Sequence, residues 1–276
     1  MYSSIGHRYL TAARYALLEQ VRNRFALVLL LLFVPLWYYF GFLFTTDAPI
    51  AFKFRLTNVF LQVSAREVTF LTLGLNAITL IVGFMLFTAT RKNTHFDHRL
   101  VLNGYPQPLL ILAKLTSLVA VAAAVSLYAS AVLYAYWRPH SLPLVWLGFF
   151  GAALCYGGLG LLLGVLVRGE LEGFFLIIML SLIDTFIQNP IGNPAANQEI
   201  VKGFPAFAPM QIDVAGGFTL VTPWLYVFIS LAWLAGLVLL GLSIFWWKTR
   251  AWSVHTEPLS AESTTTSVES TALNNV

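Results

Sequence analysis

Charge is scarce in this chain: Asp, Glu, Lys and Arg make up 10% of its 276 residues, against about a quarter in a soluble domain. That shortfall excludes water as the main solvent, in keeping with 58% hydrophobic residues and a mean hydropathy of +0.77. Cysteine is reduced to Cys155, inside an apolar stretch, which excludes an intramolecular disulfide framework and a cysteine metal cluster and leaves a small packing residue. The G-x-x-x-x-G-K-[ST] phosphate loop is missing, so nucleotide hydrolysis by that route is not expected on this chain. No nucleophile motif occurs and the few acids at membrane depth are unpaired, so no residue is assigned a catalytic role. His95, Asp97 and His98 are the one metal-like group, but without a further set of ligands they read as a solvated or headgroup-facing loop, and no metal is expected. A cleavable leader is also not apparent. The first apolar run begins near Phe25, is too long for a signal core and is not followed by a small-residue cleavage site, so it reads as a retained anchor.

What the chain does have is a series of long apolar runs. A transmembrane helix needs about 20 apolar residues to cross roughly 30 Å of hydrocarbon, and six runs approach or exceed that: 25–45, 68–90, 109–136, 143–167, 171–188 and 223–247. The expected fold class is therefore all-α, a polytopic membrane protein of six transmembrane helices over residues 25–250. Ahead of them, residues 1–24 interleave Tyr9, Leu10, Ala13, Leu17 and Val21 with Arg8, Arg14, Glu19, Arg22 and Arg24, the spacing of an amphipathic interfacial helix. Pro35 in the first run predicts a kink that neighbouring helices must accommodate. Residues 47–67 read as a polar connection. Arg91 to Pro108 reads as a charged connection holding a short helix around Phe96 to Leu102, closed by Asn103-Gly104 and Pro106. Residues 251–276 are polar and aperiodic, which predicts a disordered cytoplasmic tail.

The net charge of +4 reports orientation rather than nucleic acid in a membrane protein. With the N-terminus inside, the cytoplasmic segments hold Arg8, Arg14, Arg22, Arg24, Arg91, Lys92, Arg99, Lys114, Arg168, Lys248 and Arg250, whereas the other side holds only Lys53, Arg55, Arg66, Arg138 and Lys202. Both termini are expected in the cytoplasm. Trp137, Trp146, Trp224, Trp246 and Trp247 fall near predicted interfaces, where amphipathic rings anchor helices.

Three runs carry more than apolar bulk. In the second, Thr69, Thr72, Asn76, Thr79 and Gly83 recur at spacings of three and four and share one helical face. That face serves interhelical hydrogen bonds, worth about 0.6 to 2 kcal/mol each, or lines a substrate path, or does both. In the fifth, Ser181, Asp184 and Gln188 share a face, and an ionisable group at membrane depth is a functional candidate by default. Asp184 lies about a turn from the end of its run, so a position on a path and one reaching interfacial water are both open. In the fourth, Gly160-Leu-Leu-Leu-Gly164 allows close helix approach.

This layout resembles the permease subunit of a type-2 ATP-binding-cassette exporter over about residues 5–250. Local echoes are Leu102-Asn-Gly-Tyr-Pro-Gln-Pro-Leu-Leu-Ile-Leu-Ala-Lys114 and Leu159-Gly-Leu-Leu-Leu-Gly-Val-Leu-Val-Arg168. The resemblance implies a pair of permease subunits, identical or paralogous, whose second and fifth spans surround the path, here with Thr72, Asn76, Thr79, Ser181, Asp184 and Gln188. It implies an ATPase partner that carries ATP and Mg, with no cofactor on this chain, docked on a coupling helix at Arg91 to Asn103. Arg91, Lys92 and Arg99 would make its polar contacts, and Phe96 and Leu100 would supply burial. It also implies that residues 189–222, with apolar Phe204 to Met210, form an external re-entrant segment before the last span. The function implied is ATP-driven export across the cell membrane, specifically a bacterial plasma membrane. A membrane-embedded enzyme or enzyme-assembly subunit acting on lipid is the alternative.

Overall fold

A computed structural model describes the backbone of residues 5–253 except 168, 197 and 220, with the side chains of those residues apart from 25, 94–98, 101, 102, 107, 242 and 245–253. The chain divides into two units, Met1–Gly241 and Leu242–Val276. Helix α1 (Ile5–Arg22) ends on a basic residue that suits the negative end of the helix dipole. The chain then turns at Asn23, whose side chain accepts the backbone N–H of Ala26 at 3.2 Å and caps α2 (Arg24–Phe44). Pro35 stands inside α2 without ending it.

Between α2 and the next helix the polar connection folds into a hairpin, β1 (Pro49–Phe54) and β2 (Val59–Ser64), in register from Pro49 opposite Ser64 to Phe54 opposite Val59. Its inward face carries Phe52, Phe54 and Val63, all buried, the period of two that strands require. Asn58 takes the left-handed conformation in the turn, with φ of 53°, as asparagine tolerates.

Helix α3 (Ala65–Leu102) runs 38 residues without a break, where the sequence reading expects a span, a charged connection and a separate short helix. The physical reason is that 91–102 contains no glycine or proline, and Arg and Lys are good helix formers; charge alone does not end a helix. The stop comes at the expected place. Gly104 has φ of +81° and Tyr105 N–H reaches back to Leu100 O at 3.0 Å, a Schellman termination.

Helices α4 (Gln107–Tyr136) and α5 (Leu142–Leu166) each place a proline in their first turn, where no donor is lost. Helix α5 lies against α3 through its glycines: a Cβ on Gly160 would meet the Gly83 carbonyl, and one on Gly164 would meet Thr90. Helix α6 (Glu170–Ile187) follows, then a short 3-10 turn (Glu199–Gly203) and α7 (Phe207–Phe218). Helix α7 has 12 residues, buried from Phe207 through Gly217, and is tied to the start of α5 by Ser141 N–H to Gly216 O at 2.7 Å. At about 18 Å it is too short to cross hydrocarbon. Helix α8 (Trp224–Ser253) closes the described chain; in the second unit the described backbone is helical to Ser253, and the rest of the expected tail, 254–276, lies outside the described residues.

The protein is a mostly helical, multi-pass membrane protein. Among the described residues five helices are long and apolar enough to cross a membrane: α2, α3, α4, α5 and α8. Helix α6 falls outside that set because three carboxylates, Glu170, Glu172 and Asp184, share its 18 residues. Within the first unit α3 is central, with 89% of its apolar window buried, whereas the windows of α2 and α8 are only 17% buried and present apolar side chains outward.

A buried polar seam as candidate functional site

The polar faces of α3 and α6 meet. Asn76 Nδ2 donates to Ser181 Oγ at 3.0 Å and to Thr185 Oγ1 at 3.2 Å. Thr79 Oγ1 and Ser181 Oγ lie 2.6 Å apart. One turn along, Asn189 Nδ2 donates to Thr72 Oγ1 at 3.1 Å. Helical periodicity explains the alignment: 72, 76 and 79 fall on one face of α3, and 181, 185 and 188 on one face of α6. Thr72 and Thr79 also donate to carbonyls of their own helix, at Val68 and Leu75. Asn76 keeps one atom unspent, since its Oδ1 is buried with no hydrogen-bond partner.

Asp184 is the node of a second cluster. It is 2% exposed and is turned into the protein. Its Oδ2 accepts from Tyr156 Oη at 2.8 Å and from Ala206 N–H at 2.8 Å, and its Oδ1 accepts from Gln188 Nε2 at 3.1 Å. Tyr156 comes from α5, Gln188 from the end of α6 and Ala206 from the residue that caps α7, so this carboxylate fastens three elements. All six residues proposed from sequence for a path are thus buried in this chain, sorted into an α3–α6 group and an Asp184 group. None of them lines the cavity under α1 described below.

No protein-family model matches this chain, nor does any curated protein.

The remaining sequence assignments fall at the far end of α3. Arg91 donates from Nη1 to Val167 O at 3.2 Å, engaging the end of α5, while Lys92 and Arg99 are exposed and Leu100 is half-buried. The side chain of Phe96, like those of His95, Asp97 and His98, lies outside the described residues. Cys155 is buried, its thiol directed at Ser230 O at 3.5 Å, which fits a packing residue. Among the described residues no group of three or more His, Cys, Asp and Glu is placed to hold a metal ion.

Several residues of the seam were not picked out from the sequence. Thr185 and Asn189 extend the faces already recognised, four residues beyond Ser181 and Thr185 respectively. Tyr156 is hidden among glycines. Asp213 is the largest omission: it sits on α7, is fully buried, and neither carboxylate oxygen has a hydrogen-bond partner. Gly148 of α5 leaves the room it occupies, since a Cβ there would collide with the carboxylate. The rule that flagged Asp184, an acid within an apolar stretch, applies equally to Gln211-Ile-Asp213.

Arg55 ties the hairpin to the segment before α7. Its backbone N–H donates to Gln211 Oε1 at 2.9 Å, its Nη1 to Glu199 Oε1 at 2.9 Å and its Nη2 to Gln198 O at 3.1 Å. The Arg55 side chain is 3% exposed and Glu199 is 72% exposed. The Lys202 ammonium hydrogen-bonded to Glu199, and Arg55 behind it, hold that carboxyl below the ordinary glutamate range.

Proposed function

We propose that this chain is the permease subunit of an ATP-driven exporter of the type-2 ATP-binding-cassette kind, working as a dimer with a separate ATPase that carries ATP and Mg. The observation that carries the reading is the α3–α6 polar seam. It concentrates hydroxyl, amide and carboxylate groups on the two helices that surround the path in that family. In this reading α6 is the sixth crossing, its end carboxylates Glu170 and Glu172 lying at the membrane surface. Helix α7 is the external re-entrant element, and both termini are cytoplasmic in a bacterial plasma membrane.

The unbroken α3 gives the reading a mechanical form. From Asn76 to Arg99 the helix spans about 35 Å at 1.5 Å per residue, so the partner's movement at Arg91, Lys92, Phe96, Arg99 and Leu100 reaches the seam along one rod. A shift or rotation of α3 against α6 exchanges the Asn76–Ser181 and Thr79–Ser181 bonds for contacts with a passing molecule. Opening then costs only hydrogen bonds that a polar substrate group can replace.

The experiment is copurification of the chain with an ATPase carrying a Walker sequence, followed by hydrolysis measured against drug, peptide and lipid candidates. Stimulation by one class, abolished by Arg99→Glu while membrane insertion persists, is the expected result. Purified chain that recruits no ATPase, and an Arg99→Glu variant that still exports, would sink the reading.

A further inference from the structure

Beneath α1 lies a cavity of about 1020 Å³ walled by α1, α3 and α4, at the upper end of the range of about 300–1,000 Å³ usual for ligand pockets. Its walls are fixed. Tyr9 Oη and Thr116 Oγ1 are 2.7 Å apart, Tyr105 Oη donates to Arg8 O at 2.8 Å, Ser117 Oγ donates to Ala16 O at 3.3 Å, and Asn93 donates to Glu19. These bonds hold α1 off the bundle along its length without filling the space between.

The lining has two characters. Leu86, Ala89, Leu110 and Ala113 make an apolar floor. Among the described residues the charged groups on the walls are Arg8, Arg22 and Lys114 against the carboxylate of Glu19, so the described lining carries more basic than acidic groups. One further group asks for an occupant. Gln20 lines the cavity, is 4% exposed, and its Oε1 has no hydrogen-bond partner; a buried amide oxygen left so costs about 1–3 kcal/mol. On the outer side of α1, Leu10 and Val21 are exposed, the face an interfacial helix gives to the bilayer. The cavity therefore lies at headgroup level, with lipid as its neighbour.

We propose that this cavity is a binding site for an anionic phospholipid with a hydrogen-bond donor in its headgroup. The acyl chain covers the apolar floor, the phosphate is held by the basic walls and the headgroup hydroxyl donates to Gln20. The site is separate from the polar seam and does not depend on the exporter reading. Each basic residue near a membrane surface favours anionic lipid by about fivefold, so two or three of them set a preference of at least tenfold over a zwitterionic lipid of the same chains.

The test uses the full chain purified in detergent, exchanged against phosphatidylglycerol and phosphatidylcholine of identical chains, with retained lipid counted by native mass spectrometry. Phosphatidylglycerol is expected to be retained at least tenfold over phosphatidylcholine, and free glycerol 3-phosphate should not compete. Lys114→Glu is expected to lower retention by at least fivefold. Ala89→Phe, which fills the floor and keeps every charge, should lower it comparably even if the charge reversal does not fold. Lys53→Glu, on the distant hairpin, should leave retention unchanged. Equal retention of the two lipids overturns the proposal, as does wild-type retention in Ala89→Phe. Full competition by glycerol 3-phosphate would mean a small-anion site and would also overturn it.

Discussion

Asn76 of α3 donates to Ser181 of α6 at 3.0 Å, a bond between two fully enclosed side chains 105 residues apart. It joins the helices at the middle of the seam; removing Ser181 leaves the Asn76 amide with Thr185 alone, and removing Asn76 leaves Ser181 with Thr79 alone across the seam. A double-mutant cycle with Asn76→Ala and Ser181→Ala, read by unfolding in detergent, is expected to give a coupling energy of about 0.6–1.7 kcal/mol. Additive losses would show that the bond contributes nothing.

Asp184→Ala removes the acceptor of three donors at once. It leaves Tyr156 Oη with the Leu180 carbonyl at 3.1 Å and takes from Ala206 N–H the carboxylate that accepts it. We expect a loss of about 2–4 kcal/mol, against about 1 kcal/mol for Gln188→Ala, whose partner keeps two other donors. If Asp184 also lines the path, transport falls further than folded protein does in Asp184→Asn. Transport and melting measured on the same preparations separate the two effects; losses in strict proportion leave Asp184 a structural clasp.

Glycine content makes a paired prediction within one protein. A Cβ on Gly160 meets the backbone of Gly83 and Phe87, which cannot rotate away, whereas one on Gly236 in α8 meets nothing within 4 Å. Gly160→Val should therefore cost at least about 1–3 kcal/mol through overpacking. Gly236→Ala should be neutral or stabilising by up to about 1 kcal/mol through helix propensity. Melting temperatures of the two variants test the contrast, and a harmless Gly160→Val would refute the close α3–α5 approach.

The Arg55 clasp is asymmetric. Arg55 is enclosed and Glu199 is open to solvent, so Arg55→Ala should loosen the segment before α7 more than Glu199→Gln does. Glu199 has a lowered pKa in the folded chain. Its contribution is therefore fully present above the ordinary glutamate value and lost only as pH falls through its lower folded value. Protease cleavage within 189–206 should stay constant from about pH 8 to 5 and rise only below about pH 4. A rise near neutral pH would assign the control to another group.

Much of the helical framework is legible in the sequence, because its signals are local. Pro143 opens α5, Gly104 closes α3 with a left-handed residue, and the spacing of Thr72, Asn76 and Thr79 announces a face that cannot turn to lipid. Two misreadings have a common origin. Charge along 91–99 suggested a connection, although nothing in that stretch breaks a helix. Lys53 and Arg55 likewise hid the alternation of Phe52 and Phe54. An isolated two-stranded hairpin is marginal in water; this one rests on α7 through Arg55 and Gln211, a contact 156 residues long. Partners at such separations, including Gly148 against Asp213 and Gln20 over the α1 cavity, exist only once the chain has packed.

The hydroxyls of Thr72 and Thr79 are satisfied within α3 itself, but the Asn76 amide finds its partners on α6. Synthesis proceeds from the N-terminus, so α3 enters the bilayer with that one amide unmet and keeps it so until more than a hundred further residues have been made. A nascent chain halted before Ser181 carries the whole amide unpaired, whereas in the finished protein Nδ2 is bonded and only Oδ1 stays open. The bond that closes the seam can therefore form only after α6 has been made.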